Sequence, residues 1–216
     1  MSLFERLSLV SRRRKMELFY CVMQPTADMR LLDVGAQADG PQGGQLIDQY
    51  PWRNRISALN LLPEHIHRIQ EHYPDVDARV GDARRIPWPD KSFDIVWSNA
   101  VIEHVGSFED QAKMAREIMR VGKRWFVTTP NRWYPFEFHL RLPLVTWLPR
   151  HGYLWCGRFV TYNYEESRYM RGPDPTVLRL LSASEMRHLF PGSRIIKQRV
   201  TFMAETLIAA GGETRD

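Results

Sequence analysis

Residues Leu31 to Gly40 read LLDVGAQADG. Leu31-Leu32-Asp33-Val34 is a short apolar run broken by a single acid and closed by Gly35, the pattern of a buried strand that ends in a ligand loop. Gly35 lacks a side chain, so the backbone can turn sharply there and approach a bound molecule. A dinucleotide loop would continue as GxGxxG and present a helix N-terminus to phosphates. Here Gln37 and Asp39 stand where further glycines are expected. The Asp33 carboxylate suits a cationic ligand better than a pyrophosphate, which argues against a nicotinamide dehydrogenase.

Outward from this loop, strands and helices alternate. Arg55 to Leu59, Asp77 to Val80, Phe93 to Trp97 and Arg124 to Thr128 read as further strands. A turn of helix near Gln45 to Tyr50 and helices over Glu64 to His72 and Phe108 to Val121 lie between them, and Ala100 to Val105 starts another. Such alternation predicts a parallel sheet with helices on both faces. A helix over Ser182 to Phe190 precedes two strands, Arg194 to Val200 and Ala204 to Ala209. Only Thr201-Phe202-Met203 joins these two, so they pair antiparallel, because a parallel crossover needs a dozen or more residues. The expected fold is therefore α/β: a Rossmann-like seven-stranded, mostly parallel sheet with an antiparallel C-terminal strand and helices on both faces. Leu3, Leu7, Val10, Leu18 and Val22 recur at helical spacing before Pro25, which predicts an N-terminal helix within residues 1–25. Residues 131–175, rich in Trp, Tyr, Pro and Arg, read as a helical and aromatic insertion after strand five, a lid. Residues 1–216 are expected to form one domain.

No apolar stretch approaches the roughly 20 residues of a membrane-spanning helix, and no leader pattern opens the chain. The two cysteines, Cys21 and Cys156, give neither a disulfide framework nor a metal spacing. A cytoplasmic setting is the expectation. The net charge of +5 implies mild attraction to anionic partners. The one compact basic run, Arg12 to Lys15, reads first as a solvated helix face and second as a patch for anionic groups. No specific nucleic-acid partner is expected.

DVGAQADG, then ISALNLLPEH, then VGDARRIPWPDKSFDIVWSNAVIEHV, resembles the motif series of class I S-adenosylmethionine-dependent methyltransferases, of the type 11-like group. The resemblance implies S-adenosylmethionine as cofactor, with Asp33, Gly35 and Gln37 lining its methionine end. It implies that Asn60, with Leu61 beside it, falls where the family places an acid on the ribose hydroxyls. Asp82 and Ala83 fall where the family reads the adenine amino group. Asn60 in place of an acid keeps hydrogen bonding and gives up charge assistance, so weaker binding is expected. Asn99, after the fourth strand, reads equally as a cofactor contact or a helix N-cap.

Glu103 and His104 are the candidate catalytic residues. A histidine near a methyl donor can take a proton from an acceptor hydroxyl. VIEHV also resembles a metal-binding segment of some family members, so Glu103, His104 and His139 form a metal candidate set; that family pattern carries a second Glu where this chain has Ala100. No metal is the expected state. Trp133, Tyr134, Phe136, Phe138, Trp147, Tyr153 and Trp155 read as an aromatic roof over the acceptor or as an extra core layer, and Arg132, Arg141 and Arg150 as candidate partners of an anionic acceptor group. These features predict methyl transfer to a small-molecule or lipid-linked acceptor, oxygen favoured because the Asn/Asp-Pro-Pro-Tyr signature is absent. A peripheral contact with a membrane surface accompanies the lipid-linked case. The alternative is a methyltransferase fold without turnover that acts as a binding or regulatory protein.

Overall fold

Seven strands form one sheet in the computed structural model, which describes residues 3–40, 43–137, 142–148, 152, 155–156, 161–163, 168–170 and 178–213. They are β1 (Leu31–Val34), β2 (Ile56–Asn60), β3 (Asp77–Val80), β4 (Phe93–Asn99), β5 (Gly122–Pro130), β6 (Arg194–Arg199) and β7 (Ala204–Gly212). Their order is β6-β7-β5-β4-β1-β2-β3. All neighbours in β3-β2-β1-β4-β5 run parallel, and β7 pairs antiparallel with both β5 and β6. The mostly parallel sheet with its reversed C-terminal strand is thus present. The chain reverses its outward direction at β1 and β4, which places a switch point above Asp33 and Asn99.

Helices with both ends among the described residues frame the sheet: α1 (Leu3–Met23), α2 (Leu46–Gln49), α3 (Pro63–His72), α4 (Phe108–Val121) and α5 (Ala183–Leu189). Successive strand residues face opposite sides. Leu31 joins Phe19, Ile47 and Ile69 in one core, and Leu32 joins Met114, Ile118 and Met186 in the other. Ser107 caps α4 and Ser182 caps α5, each paired with an acid three residues on.

Two segments depart from the expected pattern. Ala100 to Val105 is not the start of an α-helix: Ala100 takes a left-handed conformation at φ 55°, and Ile102–His104 is a single 3-10 turn. Ala100 instead gives its N–H to the Thr128 carbonyl, which extends the pairing of β4 with β5. After β5 the described residues include two short antiparallel strand pairs, Phe136–Glu137 with Leu142–Pro143 and Thr161–Asn163 with Arg168–Met170, beside the helical residues of the expected insertion: a 3-10 turn at Val145–Trp147 and α-helical Gly152, Trp155 and Cys156. Among the described residues no helix is long and apolar enough to cross a membrane.

Candidate active site

A cavity of about 810 Å³ opens at the carboxyl ends of β1, β4 and β5. This is the size range of a small-molecule site. Asp33, Gly35 and Gln37 line it from the β1 end, and Asn99, Ala100, Val101 and Glu103 from the β4 end. Thr128 and Thr129 of β5, Glu205 and Thr206 of β7, and Tyr134 and Phe136 supply the far wall. The fourth side is α1, which sends Ser11, Arg12, Lys15 and Met16 into the space.

The loop after β1 holds its shape without the missing glycines. Gly35 and Ala36 donate their N–H groups to the Leu59 carbonyl at 2.8 and 3.1 Å. Gly35 has φ 83°, and a methyl group there would lie 2.2 Å from Val101 Cγ2, so no other residue fits. Beyond it the loop winds around the buried Asp48 carboxylate. Asp48 accepts from the Asp39 N–H and the Gln45 N–H, both at 3.1 Å, and from the Tyr73 hydroxyl at 2.9 Å. A buried acid therefore does here what a glycine nest does elsewhere: it gathers backbone donors and fixes the turn. Asp48→Ala leaves those donors without an acceptor, so we expect a loss of about 2–4 kcal/mol in urea unfolding, with weaker binding at the cavity.

Asp33 is 5% exposed, and its carboxylate makes no hydrogen bond or ion pair with a described residue. Burial, and after it the nearby Asp48 charge, push its pKa up to about 8. At neutral pH this acid is mostly protonated and waits on a cation. Opposite it lies Lys15. Its Nζ donates to Asn99 Oδ1 at 2.9 Å, and the same oxygen accepts from Thr128 Oγ1 at 2.8 Å. Asn99 is thus a polar bridge between α1, β4 and β5 and not a helix cap. Burial lowers the Lys15 pKa to about 8, against the opposing pull of Glu103. Glu103 is fully buried and accepts from Thr129 Oγ1 at 3.1 Å. Its turn is pinned by Gln111 of α4, whose side-chain amide donates to the Ile102 and Arg179 carbonyls at 2.9 and 2.8 Å. Glu205 accepts from the Val200 N–H at 2.8 Å and from Gln198 Nε2 at 3.2 Å, and Gln198 bonds Ser11 of α1 in turn.

Several sequence expectations are corrected here. His104 is exposed and does not line the cavity; adjacent residues on the 3-10 turn diverge, and Glu103 takes the inward direction. For the same reason Glu103 and His104 do not converge on one ion, and the described residues contain no metal-binding cluster. His139, Phe138, Arg141, Arg150 and Tyr153 lie outside the described residues. Of the aromatic roof, Tyr134 and Phe136 reach the cavity, while Trp133, Trp147 and Trp155 are half or more exposed. The adenosine-end set is not gathered at the cavity. Asn60 turns inward, donating to the Ala36 carbonyl at 2.8 Å and accepting from the Leu62 N–H at 2.9 Å. It braces the β1 loop. Leu61 is largely exposed. Asp82 is held by Arg84 at 2.6 Å, which keeps its carboxyl below the ordinary range, with Ala83 between them in the chain. Of the basic run, Arg12 and Lys15 line the cavity, while Arg13 and Arg14 are exposed on α1, Arg13 pairing with Glu17 at 2.9 Å.

Residues 32–125, from β1 into β5, match the family model described as a methyltransferase domain. The match covers less than half of the chain. The matched segment holds Asp33, Gly35, Asn99 and Glu103, while α1, Tyr134 and Glu205 lie outside it. A probable S-adenosylmethionine-dependent methyltransferase of Mycolicibacterium smegmatis is 37% identical over 81 residues, 36% of this chain and 30% of that one. A ubiquinone biosynthesis O-methyltransferase of Parvibaculum lavamentivorans is 26% identical over 156 residues, 67% of this chain and 58% of that one. The match therefore spans less than two thirds of either relative. A solved Pyrococcus horikoshii structure superposes with a TM-score of 0.61 at 17% identity, covering 97% of this chain and 91% of the other, a likeness of fold.

Proposed function

We propose that the chain binds S-adenosylmethionine over Asp33 and transfers its methyl group to a small-molecule or lipid-linked acceptor, with oxygen the favoured atom. The observation that carries this reading is the buried, unpartnered Asp33 carboxylate facing an 810 Å³ cavity at the switch point of a methyltransferase sheet. Fit favours this cofactor. Its cationic amino and sulfonium groups complement Asp33, the methyl-free Gly35 leaves room for close approach, and Arg12 and Lys15 on α1 complement its carboxylate. When bound, it supplies an electrophilic methyl group.

The chain's own residues then orient the acceptor and take its proton. With His104 outside, the groups that can do so are the Glu103 carboxylate and the Lys15 amine, the latter held near neutrality. Tyr134, Phe136 and α1 narrow the cavity and exclude water, which matters more for a direct displacement at carbon than elaborate side-chain chemistry does. Incubation with methyl-labelled cofactor and a panel of hydroxyl, carboxyl and amine acceptors tests this. Label is expected on oxygen. Glu103→Gln should slow transfer by about 100-fold, the usual scale of acid–base catalysis, while His104→Ala changes it less than about twofold. Equal loss in both variants, or loss only in His104→Ala, contradicts the assignment.

A second reading is favoured by the spent adenosine end. Asn60 is committed to backbone and Asp82 to Arg84, an arrangement suited to a binding or regulatory protein without turnover. Cofactor affinity that persists while every acceptor stays unlabelled would support it.

A further inference from the structure

A rim of apolar side chains, each close in the chain to a residue that lines the cavity or bonded to such a stretch, is turned to solvent. Phe202, at the β6–β7 turn, is 79% exposed; Trp133 and Trp147 are about half exposed, as are Leu9 and Val10 of α1. Each stretch of rim sits next to a cavity residue in the chain: Val10 beside Ser11, Trp133 beside Tyr134, Phe202 beside Thr201. Hydrogen bonds join these stretches into one surface. The Tyr134 hydroxyl bonds the Thr201 hydroxyl at 3.0 Å, Trp147 Nε1 donates to the Trp133 carbonyl at 3.3 Å, and Arg14 donates to the Arg199 carbonyl at 2.5 Å. Exposed apolar groups collected around one opening mark a contact surface and not scattered surface residues. Cations stand beside them. Arg14 and Arg199 are exposed on one edge, where Arg14 donates to the Arg199 carbonyl; of the acids near them, Glu17 pairs with Arg13 and Glu205 is buried.

We propose that this rim docks on an anionic lipid bilayer, with the aromatic side chains at headgroup depth and the arginines on the phosphates, so that the cavity opens onto the membrane. Aromatic and arginine side chains suit that boundary because each joins an apolar body to a polar end. The inference rests on the proposed methyl transfer for its consequence, that the acceptor is drawn from the membrane. The docking itself stands on the rim. An aqueous acceptor would gain nothing from Phe202 or Trp147, whereas a lipid-borne one need not cross water to reach Lys15 and Glu103.

The test is co-sedimentation of the full chain with vesicles of phosphatidylcholine alone or mixed with phosphatidylglycerol. Binding is expected to the mixed vesicles in low salt and to fall about tenfold in high salt, because the arginines lie in screened contact with the headgroups. Phe202→Ser and Arg199→Glu should each weaken it about tenfold, with the heat of cofactor binding unchanged. Equal partition into neutral and anionic vesicles overturns the proposal, as does no binding to either. A stable dimer in solution that Phe202→Ser converts to monomer also overturns it, since the rim would then be covered by a second copy. Because cofactor titration is measured separately, failure of docking and failure of the methyl-transfer reading give different results.

Discussion

Asp33→Asn is expected to weaken cofactor binding sharply and to make the protein more stable at neutral pH. The two effects have one cause. Asp33 is buried among apolar strand residues and bonds no described residue, and its pKa stands near 8 instead of 3.8. Between those values the unfolded chain releases the proton and the folded chain keeps it. Folding stability is therefore fullest below about pH 4 for this group and falls as pH rises toward 8, by about 1.4 kcal/mol for each pH unit across the window. Asn carries no such charge, so the variant lacks this decline. At pH 7 the gain should be on the order of 2–4 kcal/mol, read as a rise in melting temperature that is absent at pH 4. The same substitution deletes the charge-assisted partner of a cationic ligand, about 1.5–3 kcal/mol, or roughly 10- to 100-fold in affinity. A variant that loses stability at neutral pH, or binds the cofactor as wild type does, contradicts the role given to Asp33.

Gly35→Ala should cost both stability and binding. The backbone at Gly35 is left-handed, which an alanine tolerates at about 1–2 kcal/mol. The added methyl group also meets Val101 Cγ2 at 2.2 Å, and overpacking of this kind costs about 1–3 kcal/mol. The sum, about 2–5 kcal/mol, should appear in urea unfolding. Val101→Ala in the same chain relieves the second part only, so the double variant should recover about half of the loss. Full recovery would mean that the backbone conformation carries no strain, and no recovery would mean that Val101 is not the obstacle.

The sheet was open to reading because its signals are local. The apolar run of Phe93 to Trp97 and the change of face from Leu31 to Leu32 need nothing beyond the strand itself. The site was less so. Asp48 lies on a four-residue helix, and nothing in its neighbourhood announces that it will receive the Asp39, Gln45 and Tyr73 donors. Of the two catalytic candidates, Glu103 faces in and His104 faces out, because Ala100 resets the backbone before the turn and the stretch does not continue as the α-helix its sequence suggests. Lys15 was legible in principle. Stepping back from buried Phe19 by four residues and by three puts Lys15 and Met16 on the inward face of α1, and Arg12 one turn further. The weight of four consecutive cations masks that periodicity. The aromatic roof is present in part, through Tyr134 and Phe136: composition gives the number of rings after β5, and only tertiary packing decides that Tyr134 faces in while Trp133 faces out.

The cofactor claim has a thermodynamic signature that no neutral or anionic occupant of the cavity shares. A cation placed against Asp33 draws its pKa down and expels the proton it holds at pH 7. Calorimetric titration with S-adenosylmethionine in two buffers of different ionisation enthalpy counts that proton. Release of about one proton per cofactor at pH 7, vanishing in Asp33→Asn, is the predicted result. No binding heat at millimolar cofactor, or binding with no proton release in the wild type, would contradict it.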